Sequence, residues 1–263
     1  MKYLKWKASE LPYETLYIAQ MIPQLNHILI LDIETVACDK AYSDLSDRLK
    51  KQWDKKSSYL QNPNELSAAE LFEERAGIYS EFGKIVTIAL GFYTELDNKK
   101  IGLRVKAIVD HDESKILNDF NEILQKFDQS TLTFCAHNGK EFDFPYLGRR
   151  MLINGIELPD SLELRNKKPW DIKHVDTMEE WKFGDRKNFT SLDLLATIFG
   201  IESSKDGIDG SMVNNIYYNE NDLNRIADYC MQDVAVTAQL YLKLNNIHTF
   251  SPSDIQYLPI NGT

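Results

Sequence analysis

Two acids follow a run of apolar residues early in the chain, within residues 28–36. The run Ile-Leu-Ile-Leu-Asp-Ile-Glu-Thr-Val is mostly aliphatic and β-branched, which predicts a buried strand. Because side chains alternate across a strand, Asp32 and Glu34 point to the same face. Burying two unpaired carboxylates is costly, so either a cation binds them or both are solvated at a strand end. Carboxylate ligands suit magnesium or manganese. This stretch alone does not decide between the two interpretations.

Two further motifs place acids in other predicted elements. In residues 137–143, Asp143 opens a predicted helix directly after a predicted strand. In the longest predicted helix, Tyr229 and Asp233 are four residues apart, so they share one helix face. Ile226 and Thr237 lie on the same face, which favours an inward orientation of Asp233 over a solvated one.

Composition and charge limit the class of protein. Hydrophobic residues make up 43% of the 263 residues, enough for a substantial core. No apolar run approaches the ~20 residues of a membrane span, and residues 1–10 lack the apolar region of a secretory signal. The three cysteines have no metal-binding spacing, so we expect core residues in a reducing cytoplasm. The net charge of −10 argues against broad, non-specific nucleic-acid binding but allows local binding of a nucleic-acid end.

Hydrophobic periodicity predicts one α/β domain with a mixed sheet. The predicted strands are residues 28–36, 84–93, 101–109 and 131–137. The predicted helices are residues 114–127, 142–153, 178–181, 191–199 and 223–244. The charged stretch 39–81 has leucines at helical spacing and a break at Asn62-Pro63-Asn64, which predicts a helical insertion after the first strand.

Taken together, the three motifs resemble those of the DEDD exonucleases, a branch of the ribonuclease H-like fold. Asp-x-Glu at Asp32 matches the first motif, and Asn-x-x-x-Phe-Asp ending at Asp143 matches the second. Tyr-x-x-x-Asp ending at Asp233 matches the third, and Tyr229 indicates the tyrosine-bearing (DEDDy) subgroup. The chain is most similar to stand-alone relatives of the proofreading exonuclease domain of family B DNA polymerases.

The resemblance implies a domain organisation and a fold. Residues 1–26 would be an N-terminal extension, residues 27–250 the exonuclease domain and residues 251–263 a C-terminal tail. The fold would be ribonuclease H-like, a mixed sheet flanked by helices, interrupted by the helical insertion at 39–81. That insertion would line the substrate channel or bind a protein partner, and no membrane contact is expected.

The resemblance also implies a metal-dependent 3′–5′ exonuclease that releases nucleoside 5′-monophosphates from single-stranded DNA. Two Mg²⁺ or Mn²⁺ ions would be held by Asp32, Glu34, Asp143 and Asp233, with Asp32 bridging both. Tyr229 would orient the attacking water. RNA 3′ ends are an alternative substrate, because the motifs do not encode the choice of sugar. A catalytically silent nucleic-acid- or protein-binding module is the alternative from another class.

Several residues near the second motif are candidate substrate contacts, each with an ordinary structural alternative. Asn138 would contact the substrate sugar or brace the loop, and Phe142 would stack on a terminal base or pack in the core. The candidate phosphate contacts are Lys140, Arg149, Arg150, Lys167 and Lys168, although any one residue of this kind is more often just a solvated surface charge. His174 and Asp176 are expected either to be structural or to support the site residues without contacting the substrate. The four tryptophans, Trp6, Trp53, Trp170 and Trp181, are expected to be packing residues.

Overall fold

A computed structural model of the chain describes residues 25–97, 100–185, 189–202 and 208–260. Nearly all of the predicted N-terminal extension, including Trp6, therefore lies outside the described residues. Within the described ranges, no helix is long and apolar enough to cross a membrane.

The centre of the fold is a mixed six-stranded sheet, as predicted. In chain order its strands are β1 (Ile28–Ala37), β2 (Gly83–Glu95), β3 (Ile101–Val109), β4 (Thr133–Ala136), β5 (Val175–Asp176) and β6 (Ile255–Tyr257). Their order across the sheet is β5-β4-β1-β2-β3-β6. The central strand β1 pairs antiparallel with β2 and parallel with β4. The strand β6, which the sequence did not predict, pairs parallel with β3 and comes from residues assigned to the C-terminal tail.

Seven helices of six or more residues occur among the described residues. They are α1 (Asp47–Ser57), α2 (Ala68–Arg75), α3 (Glu113–Leu124), α4 (Asp143–Ile153), α5 (Thr177–Lys182), α6 (Leu192–Phe199) and α7 (Leu223–Leu244). A short helical turn, Val213–Asn215, and a π-helical turn, Ile216–Glu220, precede α7. All predicted helices are present, and α6 ends at Gly200 with a φ of 64°.

Each face of the sheet packs against different helices. On one face, Leu29, Leu31 and Ile33 of β1 join the apolar side chains of α3 and α4. On the other face, Ile28 and Ile30 pack with the buried side of α7. Because side chains alternate along a strand, Asp32 and Glu34 continue the row of Ile28 and Ile30. The two acids therefore face α7.

The predicted helical insertion contains α1 and α2, which share a small core of their own. Trp53 is fully buried there, its Nε1 donates to the carbonyl oxygen of Ala68 at 2.7 Å, and its ring meets Phe72 edge to face. The insertion follows the end of β1 at Ala37. The backbone N–H of Ala37 donates to Oδ1 of Asn214, and the Tyr218 hydroxyl donates to the Ala37 carbonyl. The turns before α7 therefore hold the end of the strand that carries the two acids.

Candidate active site

The acid pair on β1 lies in a mostly buried position that remains open to solvent at Asp32. Glu34 is 8% exposed, whereas Asp32 is partly exposed. One ligand atom from each of Asp32, Glu34 and Cys230 lies within 4.8 Å of the others. A register irregularity follows directly, between Glu34 and Thr35 in the pairing with β2. Such bulges re-aim side chains at the end of a ladder.

Helix α7 brings the third motif onto the acid pair. It begins after Asp222, whose side chain accepts from the N–H of Arg225. Tyr229 is buried and forms a side-chain hydrogen bond with Asp233, so the two residues do share one face. The thiol of Cys230 donates to Oδ2 of Asp32 at 3.2 Å. The helix face that carries Tyr229 and Asp233 therefore points inward, as predicted.

Asp143 reaches the same place from α4, on the opposite face of the sheet. It is the first residue of that helix and is 3% exposed. Its Oδ1 accepts from the backbone N–H of Ile33 at 3.2 Å. Ile33 is the residue between Asp32 and Glu34, so this hydrogen bond holds the Asp143 carboxylate next to the acid pair. Its charge also raises the pKa values of both neighbouring acids. The three motifs thus converge on one end of β1.

The electrostatics of this cluster are those of crowded, buried carboxylates. Burial is the largest cause that raises the pKa values of Asp32 and Glu34 well above their usual range, and repulsion from Asp143 and Asp233 adds to it. Burial likewise raises the pKa of Asp143 to about 7, although hydrogen bonds from backbone N–H groups oppose the rise. Burial, and then the charge of Asp233, raises the pKa of Tyr229, so the phenol stays neutral at physiological pH.

The donor set fits a hard divalent cation. In the part of the chain that the structure describes, Asp32, Glu34 and Asp143 form no ion pair with lysine or arginine. The nearest buried cation in sequence, Arg150, is instead fully engaged with Glu113, at 2.5 Å and 2.8 Å, and with the Ser80 carbonyl. Buried carboxylates without a cationic partner are costly, and oxygen ligands are those that Mg²⁺ and Mn²⁺ prefer.

Asp176 holds the loop that leads into α4. Its side chain accepts from the N–H of Asn138 at 3.0 Å and of Lys140 at 3.1 Å, and it caps α5 through Met178 and Glu179. Asn138 has a φ of 65°, a left-handed conformation that asparagine tolerates better than most residues. The predicted structural role of Asp176 is confirmed, and the structure shows that the segment it supports is the second motif.

His174 is structural as predicted. Its Nδ1 accepts from the N–H of Phe134, and its Nε2 faces the carbonyl oxygen of Ser161 at 2.7 Å. The imidazole lies against the rings of Phe134 and Phe144. Burial lowers its pKa to about 4, so it is neutral and its Nε2 carries the proton.

The predicted substrate contacts are spread unevenly around the cluster. Asn138 is partly buried, and its Oδ1 has no hydrogen-bond partner among the described residues. Phe142 packs against Tyr146, and Lys140 forms an ion pair with Glu179 at 2.6 Å. Arg149 is exposed on α4, six residues after Asp143. At 100° per residue it points about 120° away from that acid, so the structure does not bring Arg149 to the cluster.

Three expectations from the sequence are wrong or incomplete. Arg150 is not a free phosphate contact, because it is 9% exposed and bound to Glu113. Trp170 is not a packing residue, because it is 76% exposed. Cys230 is buried as predicted, but it also contacts Asp32. The position of Cys230 next to Tyr229 could have indicated its contact with the site. No sequence pattern could have indicated that Arg150 pairs with Glu113, which is 37 residues away.

The described residues form an α/β domain, a mixed six-stranded sheet flanked by helices, that brings acids from three elements together. Residues 78–255 match the family described as "Predicted 3'-5' exonuclease related to the exonuclease domain of PolB". This match covers more than half of the chain, and the chain belongs to that family. The matched range begins after β1, so Asp32 and Glu34 lie outside it.

Two solved structures are similar to the chain at low sequence identity. One is the family B DNA polymerase from the hyperthermophilic archaeon Pyrobaculum calidifontis, with 16% identity, a TM-score of 0.49 and coverage of 83% of this chain. This chain spans only 24% of that polymerase. The other is a chain from the structure of the yeast NOT1 MIF4G domain co-crystallized with CAF1, with 15% identity and a TM-score of 0.38. This match covers 95% of this chain and 90% of that chain. No curated protein matches the chain.

Proposed function

We propose that this protein is a metal-dependent exonuclease that removes nucleotides from the 3′ end of single-stranded DNA. The observation that carries the proposal is the convergence of Asp32, Glu34, Asp143, Asp233 and Tyr229 from three separate elements. Family membership supports the 3′–5′ exonuclease class. A binding module would have no use for buried carboxylates that destabilise its fold.

In this proposal, Asp32, Glu34, Asp143 and Asp233 hold two Mg²⁺ or Mn²⁺ ions. Bound divalent ions supply charge neutralisation at the phosphodiester and lower the pKa of water. Asp32 suits the shared position, because it lies among the other three acids, each of which raises its pKa. Its partial exposure leaves it accessible to a substrate phosphate.

Tyr229 acts as a neutral phenol. Its side chain is bonded to Asp233 and has little rotational freedom, since it is only 9% exposed. A fixed hydroxyl can accept one hydrogen bond and donate another, so it orients the attacking water oxygen toward phosphorus. Asn138, whose Oδ1 is buried and without a partner among the described residues, is the proposed contact to the substrate sugar.

The test is a digestion assay with 5′-labelled single-stranded DNA, duplex DNA and RNA, each with Mg²⁺, Mn²⁺ or EDTA. We expect stepwise shortening of single-stranded DNA with either metal and none with EDTA. Asp32→Asn should abolish activity and also the heat of Mn²⁺ binding in calorimetry. If wild-type protein leaves every substrate intact, the proposal is wrong. Faster digestion of RNA than DNA would change the substrate and keep the chemistry.

Tyr229→Phe separates chemistry from metal binding. Removing the hydroxyl should lower kcat by about 10²-fold or more, the usual scale for losing one positioned polar group. The Mn²⁺ isotherm should stay close to wild type, because none of the four acids is changed. A parallel loss of metal affinity would mean that Tyr229 supports the fold and does not orient water.

Two further parts of the proposal concern the setting of the enzyme. The three free cysteines, two of them buried, suit a reducing cytoplasm. The insertion with α1 and α2 packs at the end of β1, next to the proposed site. It is therefore the segment most suited to line the substrate channel or to bind a protein partner.

A further inference from the structure

Trp170 is a highly exposed aromatic side chain within a basic stretch of the surface. It lies in a short turn, Pro169–Asp171, between α4 and β5, and 76% of its surface is exposed. Other aromatic side chains of the described residues are as exposed, with Tyr59 at 78% and Phe183 at 90%, so exposure alone assigns no role to Trp170 and its surroundings must. The Nζ of Lys168 lies 5.3 Å from the ring centroid, which keeps a cation over the ring face.

The surroundings of Trp170 are basic in an acidic protein. We call residues 165–173 the Trp170 loop; it contains Arg165, Lys167, Lys168 and Lys173 against a single acid, Asp171. Its charge of +3 contrasts with −10 for the whole chain. Arg165 pairs with Glu163. The three lysines are exposed and form no ion pair within the described ranges, so they are available to a polyanion.

The loop is anchored to the strand that leads into the proposed site. At its end, buried His174 bonds both Phe134 of β4 and the Ser161 carbonyl. The next strand, β5, then supplies Asp176, which holds Asn138 and Lys140. The charges of Lys167 and Lys140 both lower the pKa of the His174 imidazole, so the loop and the second motif both lie near this side chain.

We propose that the Trp170 loop binds single-stranded nucleic acid upstream of the 3′ end, with Trp170 stacked on a base and the lysines on phosphates. The direction of the bound strand and the upstream position of the loop along it rest on the proposed 3′–5′ exonuclease function. Exposed aromatics combined with cations bind single strands without sequence preference. A protein partner is less suited to this loop, because Lys168 over the ring and two further exposed lysines in the same loop leave little apolar surface to bury.

The topology sets the length of strand that must be bound. The loop enters β5 from the end of the sheet where the parallel strand β4 begins, whereas Asn138 follows the end of β4. Four residues of β4 span about 13 Å, which corresponds to about four stacked nucleotides at 3.4 Å each. We therefore expect a stacked trinucleotide in the proposed site to end short of Trp170, whereas a 20-mer extends past it.

Binding is measured by fluorescence anisotropy with labelled 20-mers of DNA and of RNA, in EDTA so that nothing is digested. Trp170→Ala should weaken binding about 5- to 100-fold, the scale of one lost stacking contact, and Trp170→Phe should restore most of the loss. The matched control is Tyr257→Ala, which removes an aromatic that is 49% exposed on β6, at the edge of the sheet opposite β5, and should leave binding unchanged. Equal affinity of Trp170→Ala and wild type for both 20-mers would overturn the proposal.

The lysines give an independent measurement. Lys167→Gln with Lys168→Gln should reduce the slope of log Kd against log salt by about 0.7 per lost phosphate contact. Lys126→Gln, at an exposed position beyond α3, is the control and should leave the slope unchanged. An unchanged slope in the double variant would show that these lysines do not contact phosphate and would overturn their part of the proposal.

Digestion of a trinucleotide and a 20-mer separates this inference from the proposed function. If Trp170→Ala slows digestion of the 20-mer alone, the loop binds the upstream strand. If the variant digests both substrates like wild type, the exonuclease stands and the Trp170 loop inference falls. If wild type digests neither but binds the 20-mer through Trp170, the exonuclease proposal falls, and the loop remains a nucleic-acid surface.

Discussion

Asp143→Asn should make the metal-free protein more stable at neutral pH. The buried carboxyl has its pKa raised from 3.8 to about 7. The folded chain therefore binds more protons than the unfolded chain between pH 4 and 7, so stability falls as pH rises through this window. The rise corresponds to on the order of 4 kcal/mol above pH 7. Asparagine removes the charge while its Oδ1 can still accept from Ile33.

The assay is urea unfolding in EDTA at several pH values. At pH 4 the variant and wild type should differ little, because the wild-type carboxyl is then protonated in the folded state as well. At pH 8 the variant should be more stable by about 2 to 4 kcal/mol. Mn²⁺ should reverse the order, because it stabilises wild type by mass action and the variant has lost one proposed ligand.

Two results would refute this reasoning. One is a variant that is less stable than wild type in EDTA at pH 8, since the buried charge would then not be a cost. The other is an equal gain at pH 4 and pH 8, because a gain without pH dependence cannot come from ionisation. Asp160→Asn, at an exposed acid outside the cluster, is the matched control and should show neither effect.

Two further predictions concern the support of the second motif. Asp176→Ala should lower kcat and destabilise the fold by at least about 2 kcal/mol, because the N–H groups of Asn138 and Lys140 lose their acceptor. Asp176→Asn, measured by the same urea and digestion assays, should retain part of the stability and part of the activity. The pKa of His174 is lowered from 6.5 to about 4, so stability falls as pH drops from 6.5 to 4, by on the order of 3 kcal/mol. His174→Gln should remove that part of the pH dependence; an identical pH dependence in the variant and wild type would contradict it.

Local patterns were sufficient for most of the secondary structure and for the motif residues. The alternation in β1 placed Asp32 and Glu34 on one face, and helical spacing placed Tyr229 with Asp233, because both periodicities are properties of the backbone. Helix α7 was predicted with its observed ends, Leu223 and Leu244. The strands β5 and β6 were missed, because two and three residues give too short a pattern to recognise.

The sequence by itself determined the order of the elements, the acids that face inward and the resemblance to the family. Only the tertiary structure decided which side chains meet across the sheet. Asp143 bonding Ile33, Arg150 bound to Glu113 and Cys230 on Asp32 join residues 110, 37 and 198 positions apart. Such contacts depend on how helices pack on a sheet, which no local periodicity encodes. The exposure of Trp170 was decided in the same way, because an aromatic in a loop is buried only if another element covers it.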